Sequence, residues 1–467
     1  MDRGMPRRYS LRDILTVASI HPFYRTDIRF PPSSEEINQA IAGQKNTDTL
    51  PLESLPLTRK QDLYRTIQRL CADDDPRNEY RRSSYISITG GGSGGARMFF
   101  LTDAMENRMH RATAGELMRI CGVIEPRDWV ITLHTSGYLY RALDLTAEVV
   151  ENAGGTIFCA GHLMPHSDIV KLLLDHRINV LSGDSSQILQ FALHVSSLPS
   201  TIRDSIRITK IFYTSEPLIR SQRAYLTSVF GPVLIFSVFA SAESGPWAVM
   251  NLAVTGDIAD DAADFIFDTR NIIVEVLPLS AGSGDAESGQ EDKHQLPDGE
   301  VGVIALTSLQ RLRNPLVRYV SGDLGSLHPL PANDRIPPDA AQHLKVFRLY
   351  GRDQRWSFKW QGEYFEFESL RQIMQREDWG VLQWQIVLRS ELSSCTDHCE
   401  IRLLRGASNN GQIPDMELEQ ELRKVFVVTP INACLFHVKF VELQGFERSV
   451  TGGKVMRFVD QRMKGNN

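Results

Sequence analysis

The alternation of strand-like and helix-like runs between residues 129 and 239 constrains the fold more than any other feature of this chain. Residues 129–134 (WVITLH) are a short run rich in β-formers. Ala142–Ala153 follows with helical patterning and is stopped by Gly154-Gly155. The next β-rich run is Thr156–Cys159, followed by a helical pattern at 167–176 and a strand at 178–181. Residues 209–213 (TKIFY) and 233–239 (VLIFSVF) continue the theme. A chain that returns to a strand after each helix builds parallel sheet with helical crossovers, so the expected fold class is α/β.

At 467 residues the chain exceeds what one core holds, and two or three domains are expected. The texture changes past Gly351: alternating runs at 383–388 and 399–404, a helical pattern at 415–426 and a run at 436–443 suit a small α+β domain. Residues 280–300 are polar, acidic and rich in Gly and Ser, as in a surface excursion between strands. Net charge is −6 with no basic block, which argues against nucleic acid as partner. No apolar run approaches the roughly 18–20 residues of a membrane span, and the N-terminus lacks a secretory apolar core. Six scattered cysteines make no disulfide framework, so a reduced, cytoplasmic protein is expected. Cys395-Thr-Asp-His398-Cys399 has metal-like composition, but no second ligand pair stands nearby; a loop between two strands is the competing reading.

Residues 88–100, ITGGGSGGARMFF, raise the question of function. Gly90-x-Gly92-x-x-Gly95 matches the dinucleotide fingerprint formally, yet that motif must open a helix, and Arg97 to Thr102 reads as a strand. A Walker A loop needs Lys-Ser/Thr where Ala96-Arg97 stand. What remains is strand–glycine loop–strand, either a hairpin tip or an anion nest of backbone N–H groups helped by the Thr89 and Ser93 hydroxyls. The helix after Thr102 begins Asp103-Ala-Met-Glu106, a capping-box spacing.

Six further pieces stand in order along the chain. They are His21-Pro-Phe-Tyr24 with Leu55-Pro-Leu-Thr-Arg-Lys60, Tyr213-Thr-Ser-Glu216-Pro217-Leu218, Phe239-Ala-Ser-Ala-Glu243, Arg318-Tyr-Val-Ser-Gly322-Asp323, Gly351-Arg352-Asp353 and Thr451-Gly-Gly-Lys454-Val455. With the glycine run, this series resembles the signature of the adenylate-forming acyl-ligase superfamily, and within it the phenylacetate–CoA ligase family. The resemblance covers nearly the whole chain. Taken singly, Glu243 also reads as a loop acid, Ser321-Gly322-Asp323 as a turn, Lys454 as a solvated lysine, and Tyr138 and Tyr140 as core aromatics.

The resemblance implies an ATP-dependent acid–thiol ligase: a small carboxylic acid, aryl or related, attacks ATP to give an acyl-adenylate and pyrophosphate, and CoA then takes the acyl group. An amine or a separate carrier protein as acceptor, or a non-catalytic nucleotide- or acyl-binding protein, are the alternatives. Thr89, Gly90, Gly91, Gly92, Ser93, Gly94 and Gly95 would cradle the phosphates. Ser215, Glu216, Pro217 and Phe239 would lie by adenine, Glu243 would ligate Mg²⁺, and Asp323 and Arg352 would meet the ribose or phosphates. Lys454 would stabilise the developing charge, and Tyr138, Tyr140, Asp184 and Phe236 would line the acyl pocket. The implied architecture is a large β/α domain at 1–350, a hinge at 351–354 and a small mobile α+β domain at 355–467. Three positions depart from the family pattern. Gly95 and Ala96 stand where a lysine is usual, Ala242 where a hydroxyl is usual, and Gln354 where an acid is usual. Lys454, Glu243 and Asp323 are retained, so an active adenylator is expected.

Overall fold

A computed structural model describes residues 8–44, 51–89, 98–137, 139–214, 218, 220–256, 262–282, 294–352, 357–374, 376–391, 396–405, 412–448 and 455–462. They fall into two compact units, one within Met1–Ile88 and Phe99–Asp353, the other within Thr89–Met98 and Gln354–Asn467.

The larger unit opens with helices α1 (Leu11–Ser19) and α2 (Ser34–Ala42), each started by a serine whose hydroxyl accepts a first-turn N–H. Helix α3 is Lys60–Ala72. Strands β1 (Ser84–Thr89) and β2 (Met98–Asp103) pair as a two-stranded sheet on either side of the glycine run, as the strand–loop–strand reading requires. Helix α4 (Ala104–Ile120) is capped by Asp103, whose Oδ1 accepts from the N–H groups of Met105 and Glu106 at 2.9 and 3.0 Å. The reciprocal half of the expected capping box is replaced: Glu106 turns into the interior, where Leu312 and Arg313 bind it.

Strands β3 (Trp129–Thr132), β4 (Thr156–Cys159), β5 (Val180–Asp184), β6 (Lys210–Thr214) and β7 (Leu234–Ser241) form a parallel ladder in the order β4-β3-β5-β6-β7. Between them run α5 (Ala142–Ala153), α6 (His166–His176), α7 (Ser185–Ser196) and α8 (Arg220–Phe230). Neighbouring residues on each strand enter opposite cores, as the period of two demands. Ile131, Leu181 and Ile211 pack with α6 and α7, while Val130, Val180 and Phe212 pack with α4 and α5.

The sequence reading anticipated only this parallel half. The same sheet continues antiparallel through β8 (Gly245–Asn251), β9 (Ala263–Asp268), β10 (Ile272–Leu277), β11 (Gly302–Ser308), β12 (Tyr319–Pro329) and β13 (Leu344–Arg352). The full order is β10-β11-β12-β13-β9-β8-β7-β6-β5-β3-β4, eleven strands. Few helices separate these later strands; β10, β11, β12 and β13 follow one another as antiparallel neighbours, whereas β9 lies beside β13 and not beside β10. Strand β12 is bulged: Val303 pairs with Leu324 but Ala305 pairs with Val320, so a step of two along β11 spans a step of four along β12.

The smaller unit is α+β, as expected. A hairpin of β14 (Ser357–Trp360) and β15 (Glu363–Glu366) leads into α9 (Phe367–Met374). A four-stranded sheet in the order β18-β17-β16-β19 joins β16 (Val381–Glu391), β17 (Thr396–Arg405), β18 (Phe436–Phe440) and β19 (Phe458–Asp460), with α10 (Asp415–Val425) between β17 and β18. Its core holds Trp360, Phe365, Trp379, Cys399, Phe426 and Phe436. The loop-or-metal reading of residues 395–399 is thereby corrected. His398 and Cys399 are successive residues of a strand; Cys399 faces the core, and His398 stacks on His437 at 5.8 Å on the other side. Cys395 lies outside the described residues. Among those residues no group of three or more His, Cys, Asp and Glu is set to hold a metal, and no helix is long and apolar enough to cross a membrane.

Candidate functional site

Glu243 lies in the three-residue turn between β7 and β8. The turn closes on itself: Ser244 N donates to Ser241 Oγ at 3.0 Å, and the two hydroxyls are 2.9 Å apart. The hydroxyls flanking Ala242 are thus spent inside the turn. Gly245 ends it at φ +69°, a left-handed conformation, and a Cβ there would stand 2.6 Å from His110 Cε1. His110, on α4, donates from Nε2 to the Pro246 carbonyl at 2.9 Å. Burial, then the neighbouring Arg311 charge, lowers its pKa to about 3, so the ring is neutral.

The Glu243 side chain is 5% exposed. Its Oε1 accepts from Tyr64 OH of α3 at 3.0 Å and from Tyr319 OH of β12 at 3.1 Å. Its backbone carbonyl accepts from Arg311 Nη1. Arg311 is buried against the face of Phe100, 5.4 Å from the ring centre. Burial outweighs the attraction of Glu106 and Glu243 and lowers the guanidinium pKa to about 10, still charged at neutral pH. Glu106 secures the backbone just beyond, its Oε1 accepting from the N–H groups of Leu312 and Arg313 at 3.0 and 3.2 Å. Burial above all raises the Glu106 pKa to about 7.

The stretch that carries Tyr319 is braced by the two N-terminal motif pieces. Thr58 forms a parallel bridge to Tyr319: its N–H donates to Arg318 O at 2.9 Å, and Val320 N donates to its carbonyl at 3.0 Å. Tyr24 OH donates to Pro315 O at 2.9 Å and accepts from Val317 N at 2.8 Å. Arg318 is fully buried on Glu275, with an Nη2–Oε1 distance of 2.9 Å, and also donates to the carbonyls of Glu53 and Leu55. Beyond Tyr319, Ser321-Gly322-Asp323 is the bulge of β12, with Gly322 at φ +81°. Asp323 is 8% exposed, its N–H donates to Ser321 Oγ at 3.2 Å, and across the ladder it faces Arg352.

In open α/β sheets ligands bind beyond the carboxyl ends of the parallel strands. Here those ends lead to His134, Asp184, Thr214 and the Glu243 turn. His134 is buried, with Nδ1 2.8 Å from Thr132 Oγ1 and Nε2 3.0 Å from Thr214 Oγ1. Burial lowers its pKa to about 4 against the opposing pull of Asp184. Asp184 caps α7 in a full capping box with Gln187.

Of the residues singled out in the sequence, Glu243 and Asp323 are buried and placed by neighbouring elements, and Asp323 and Arg352 share a register position. Phe239 is half-buried in an aromatic cluster, 5.4 Å from Trp247 and 5.3 Å from Phe265. Phe236 is corrected from pocket wall to core residue, because it points to the α4–α5 face among Val130, Val180 and Phe212. Asp184 serves as a helix cap, and Tyr140 is exposed in a two-residue ladder with Ser136–Gly137. Thr89 ends β1. Gly90, Gly91, Gly92, Ser93, Gly94, Gly95, Tyr138, Ser215, Glu216, Pro217 and Lys454 lie outside the described residues, as do the side chains of Thr89 and Arg352. Sequence reasoning missed Tyr64, His110, His134, Arg311 and Tyr319. Tyr319 sat inside a quoted motif and His134 ends the quoted run 129–134; Tyr64, His110 and Arg311 carry no local signal, since only the tertiary fold brings them to the turn.

No protein-family profile matches the chain, and no curated protein matches it in sequence. Solved structures do. A 2-hydroxyisobutyryl-CoA ligase with 2-HIB-AMP and CoA in the thioesterification state aligns with a TM-score of 0.66 at 18% identity, covering 97% of this chain and 88% of that one. An open conformation of that ligase with the same two ligands aligns with a TM-score of 0.54 at 17% identity, over 96% and 89%. Its postadenylation state with 2-HIB-AMP gives 0.54 at 17% identity, over 96% and 87%. The chain therefore has the adenylate-forming ligase fold.

Proposed function

We propose that the protein activates a small carboxylic acid, aryl or related, with ATP as an acyl-adenylate, releases pyrophosphate, and passes the acyl group to the thiol of CoA. The observation that carries this reading is the Glu243 carboxylate, buried at the end of β7 and hydrogen-bonded by two phenol hydroxyls, within a chain of this fold. An oriented carboxylate suits Mg²⁺, a hard cation that takes one or two protein oxygens and completes its shell with water and phosphate. When bound, the ion would neutralise triphosphate charge.

The chain's own residues do the rest by position and charge, without a protein nucleophile. The backbone of residues 89–95 cradles the phosphates. Asp323, at the β12 bulge, accepts from the ribose hydroxyls, with Arg352 opposite it on β13. Residues 215–217 and Phe239 border adenine. Lys454 sets its ammonium on the charge that develops as pyrophosphate leaves. Tyr138 and Tyr140 remain candidates for the acyl side; Phe236 is withdrawn from it.

Pyrophosphate release from Mg²⁺-ATP, measured over aryl, aliphatic, hydroxy and amino acids with and without CoA, tests this reading. Acid-dependent release with a thioester product is expected, together with its collapse in Lys454→Ala while ATP binding persists. Acid-dependent release that ignores CoA would move the acceptor to an amine or carrier protein. Silence across the panel with ATP still bound would favour a non-catalytic nucleotide- or acyl-binding protein.

A further inference from the structure

We propose that the cavity between the start of β1 and the first turns of α4 and α5 is a second ligand site, which takes an oxyanion of the phosphate type with Arg108 and Arg111 as its principal donors. The proposal is independent of the adenylation reading, and none of these residues belongs to the surroundings of Glu243.

The cavity holds about 310 Å³, at the lower end of small-molecule sites, which run from about 300 to 1,000 Å³. Its donors and acceptors are unequally matched. Arg111 on α4 is 3% exposed, and its Nη1 donates to Asp144 Oδ2 at 3.0 Å and to Glu148 Oε2 at 2.7 Å, both on α5. Asp144 also accepts from Arg141, at Oδ1 from Nε and at Oδ2 from Nη2, at 3.2 and 2.9 Å. The Asp144 carboxylate is therefore committed, while Arg111 Nε and Nη2 are buried with no acceptor in hydrogen-bond geometry. The Tyr85 ring lies 4.5 Å from the Arg111 guanidinium and 4.1 Å from that of Arg141. Its phenol oxygen also interacts with Arg111, yet one oxygen cannot take every proton of two nitrogens.

Buried donors of a charged group are costly to leave without acceptors. Nε and Nη2 are also a pair from which a guanidinium makes its parallel two-bond contact with an oxyanion. On the same helix the side chains of Asn107 and Arg108 line the cavity and make no hydrogen bond or ion pair with described residues. Three guanidiniums against two carboxylates leave the cavity one positive charge. An ordinary basic surface patch would keep its arginines exposed and hydrated; here the central one is buried. Helix α4 separates this place from the site already described. Glu106 and His110 reach Leu312 and Pro246, whereas Asn107, Arg108 and Arg111, a step further round the helix, line the cavity.

Isothermal titration calorimetry of the full chain with inorganic phosphate, and separately with glycerol 3-phosphate, tests the proposal. Saturable binding is expected, weakened about tenfold or more in Arg108→Ala and in Arg111→Met. Glu148→Gln removes a negative charge and should tighten it about threefold. Tighter binding of phosphate identifies a site for the free ion, and tighter binding of glycerol 3-phosphate a site for a phosphorylated small molecule. The ATP Kd of Arg108→Ala should stay within about twofold of wild type, because the nucleotide site lies elsewhere. No saturable binding of either probe, or wild-type affinity in Arg108→Ala, would overturn the proposal. So would an ATP Kd that weakens in step with the phosphate Kd, since the titrated site would then be the nucleotide site. Should Arg111→Met not fold, Arg108→Ala and Glu148→Gln decide, and unchanged phosphate affinity in both overturns it.

Discussion

The two halves of the large sheet are built on different principles. The parallel half is regular: adjacent residues alternate between two apolar cores, and helices fill every crossover. In the antiparallel half the register breaks at three places, in β8 near Pro246, in β12 at residues 321–323, and again between β12 and β13. Buried ions gather there too, Arg318 with Glu275 and Arg311 near Glu106 and Glu243. Regular pairing leaves every side chain committed to one face. A bulge or tight turn releases one from that rule, and both buried candidate acids, Glu243 and Asp323, stand at such places. Scaffold and site are thus adjacent parts of one sheet.

The contrast can be broken most forcefully at Arg318. Arg318→Ala strips the partner from fully buried Glu275 and should cost about 3–5 kcal/mol in urea unfolding. Leu181→Ala, in the parallel half, should cost about 3 kcal/mol through lost contact and cavity, yet leave the metal dependence of ATP binding unchanged. Equal damage to metal dependence from Leu181→Ala would erase the distinction between halves. Asp323→Asn keeps shape and removes a charge, so ATP affinity should fall about tenfold or more for the loss of roughly 1.5–3 kcal/mol; an unchanged Kd by calorimetry would strike Asp323 from the site. Asp184→Ala should lower stability by about 1 kcal/mol as a lost helix cap, with the ranking of acid substrates unaltered. A reordered substrate panel would return Asp184 to the acyl pocket.

A smaller test uses one buried histidine from each half, His110 beside the Glu243 turn and His134 at the end of β3. Their folded pKa values of about 3 and about 4 lie below the usual ~6.5. Below that pH the unfolded chain takes up protons that the native state refuses, so their contribution is present above about pH 6.5 and lost as pH falls toward 4. His110→Gln and His134→Gln should each remove about one proton from the slope of stability against pH in that window. Glu106 acts with the opposite sign. Its folded value of about 7 makes stability fall as pH rises from about 4.5 to 7, and Glu106→Gln should steepen the net rise.

How much of this was legible in the sequence follows from the same contrast. Ala142–Ala153 and Thr156–Cys159 emerged with the right bounds because helical periodicity ends at Gly154, which stands at φ +95°, and a β-rich run resumes at once. The antiparallel continuation was not foreseen, because its strands differ from the earlier ones in pairing direction, which side-chain pattern does not encode. Glu243 and Asp323 could be picked out as motif residues, but their clamps could not. Tyr64, Arg311 and Tyr319 look like ordinary surface or core residues until the chain is folded. Phe236 went the other way: it belongs to a β-rich run beside the motif, and only the register with Phe212 shows which core it enters. Asp184 was placed by the acyl pocket through the family resemblance, and its capping box with Gln187 was not read.

The convergence on Glu243 also bears on the order in which this molecule can be made. Tyr64 is 179 residues from Glu243 in the chain, Tyr319 is 76 and Arg311 is 68. No local segment can rehearse that arrangement, and long-range closures of this kind form late and slowly. The turn would therefore acquire its final geometry only after synthesis has passed Tyr319 and the larger unit has closed. A divalent ion with nucleotide would then bind the finished state in preference to any earlier one, drawing maturation to completion by mass action. Occupancy would serve as a report that folding has ended.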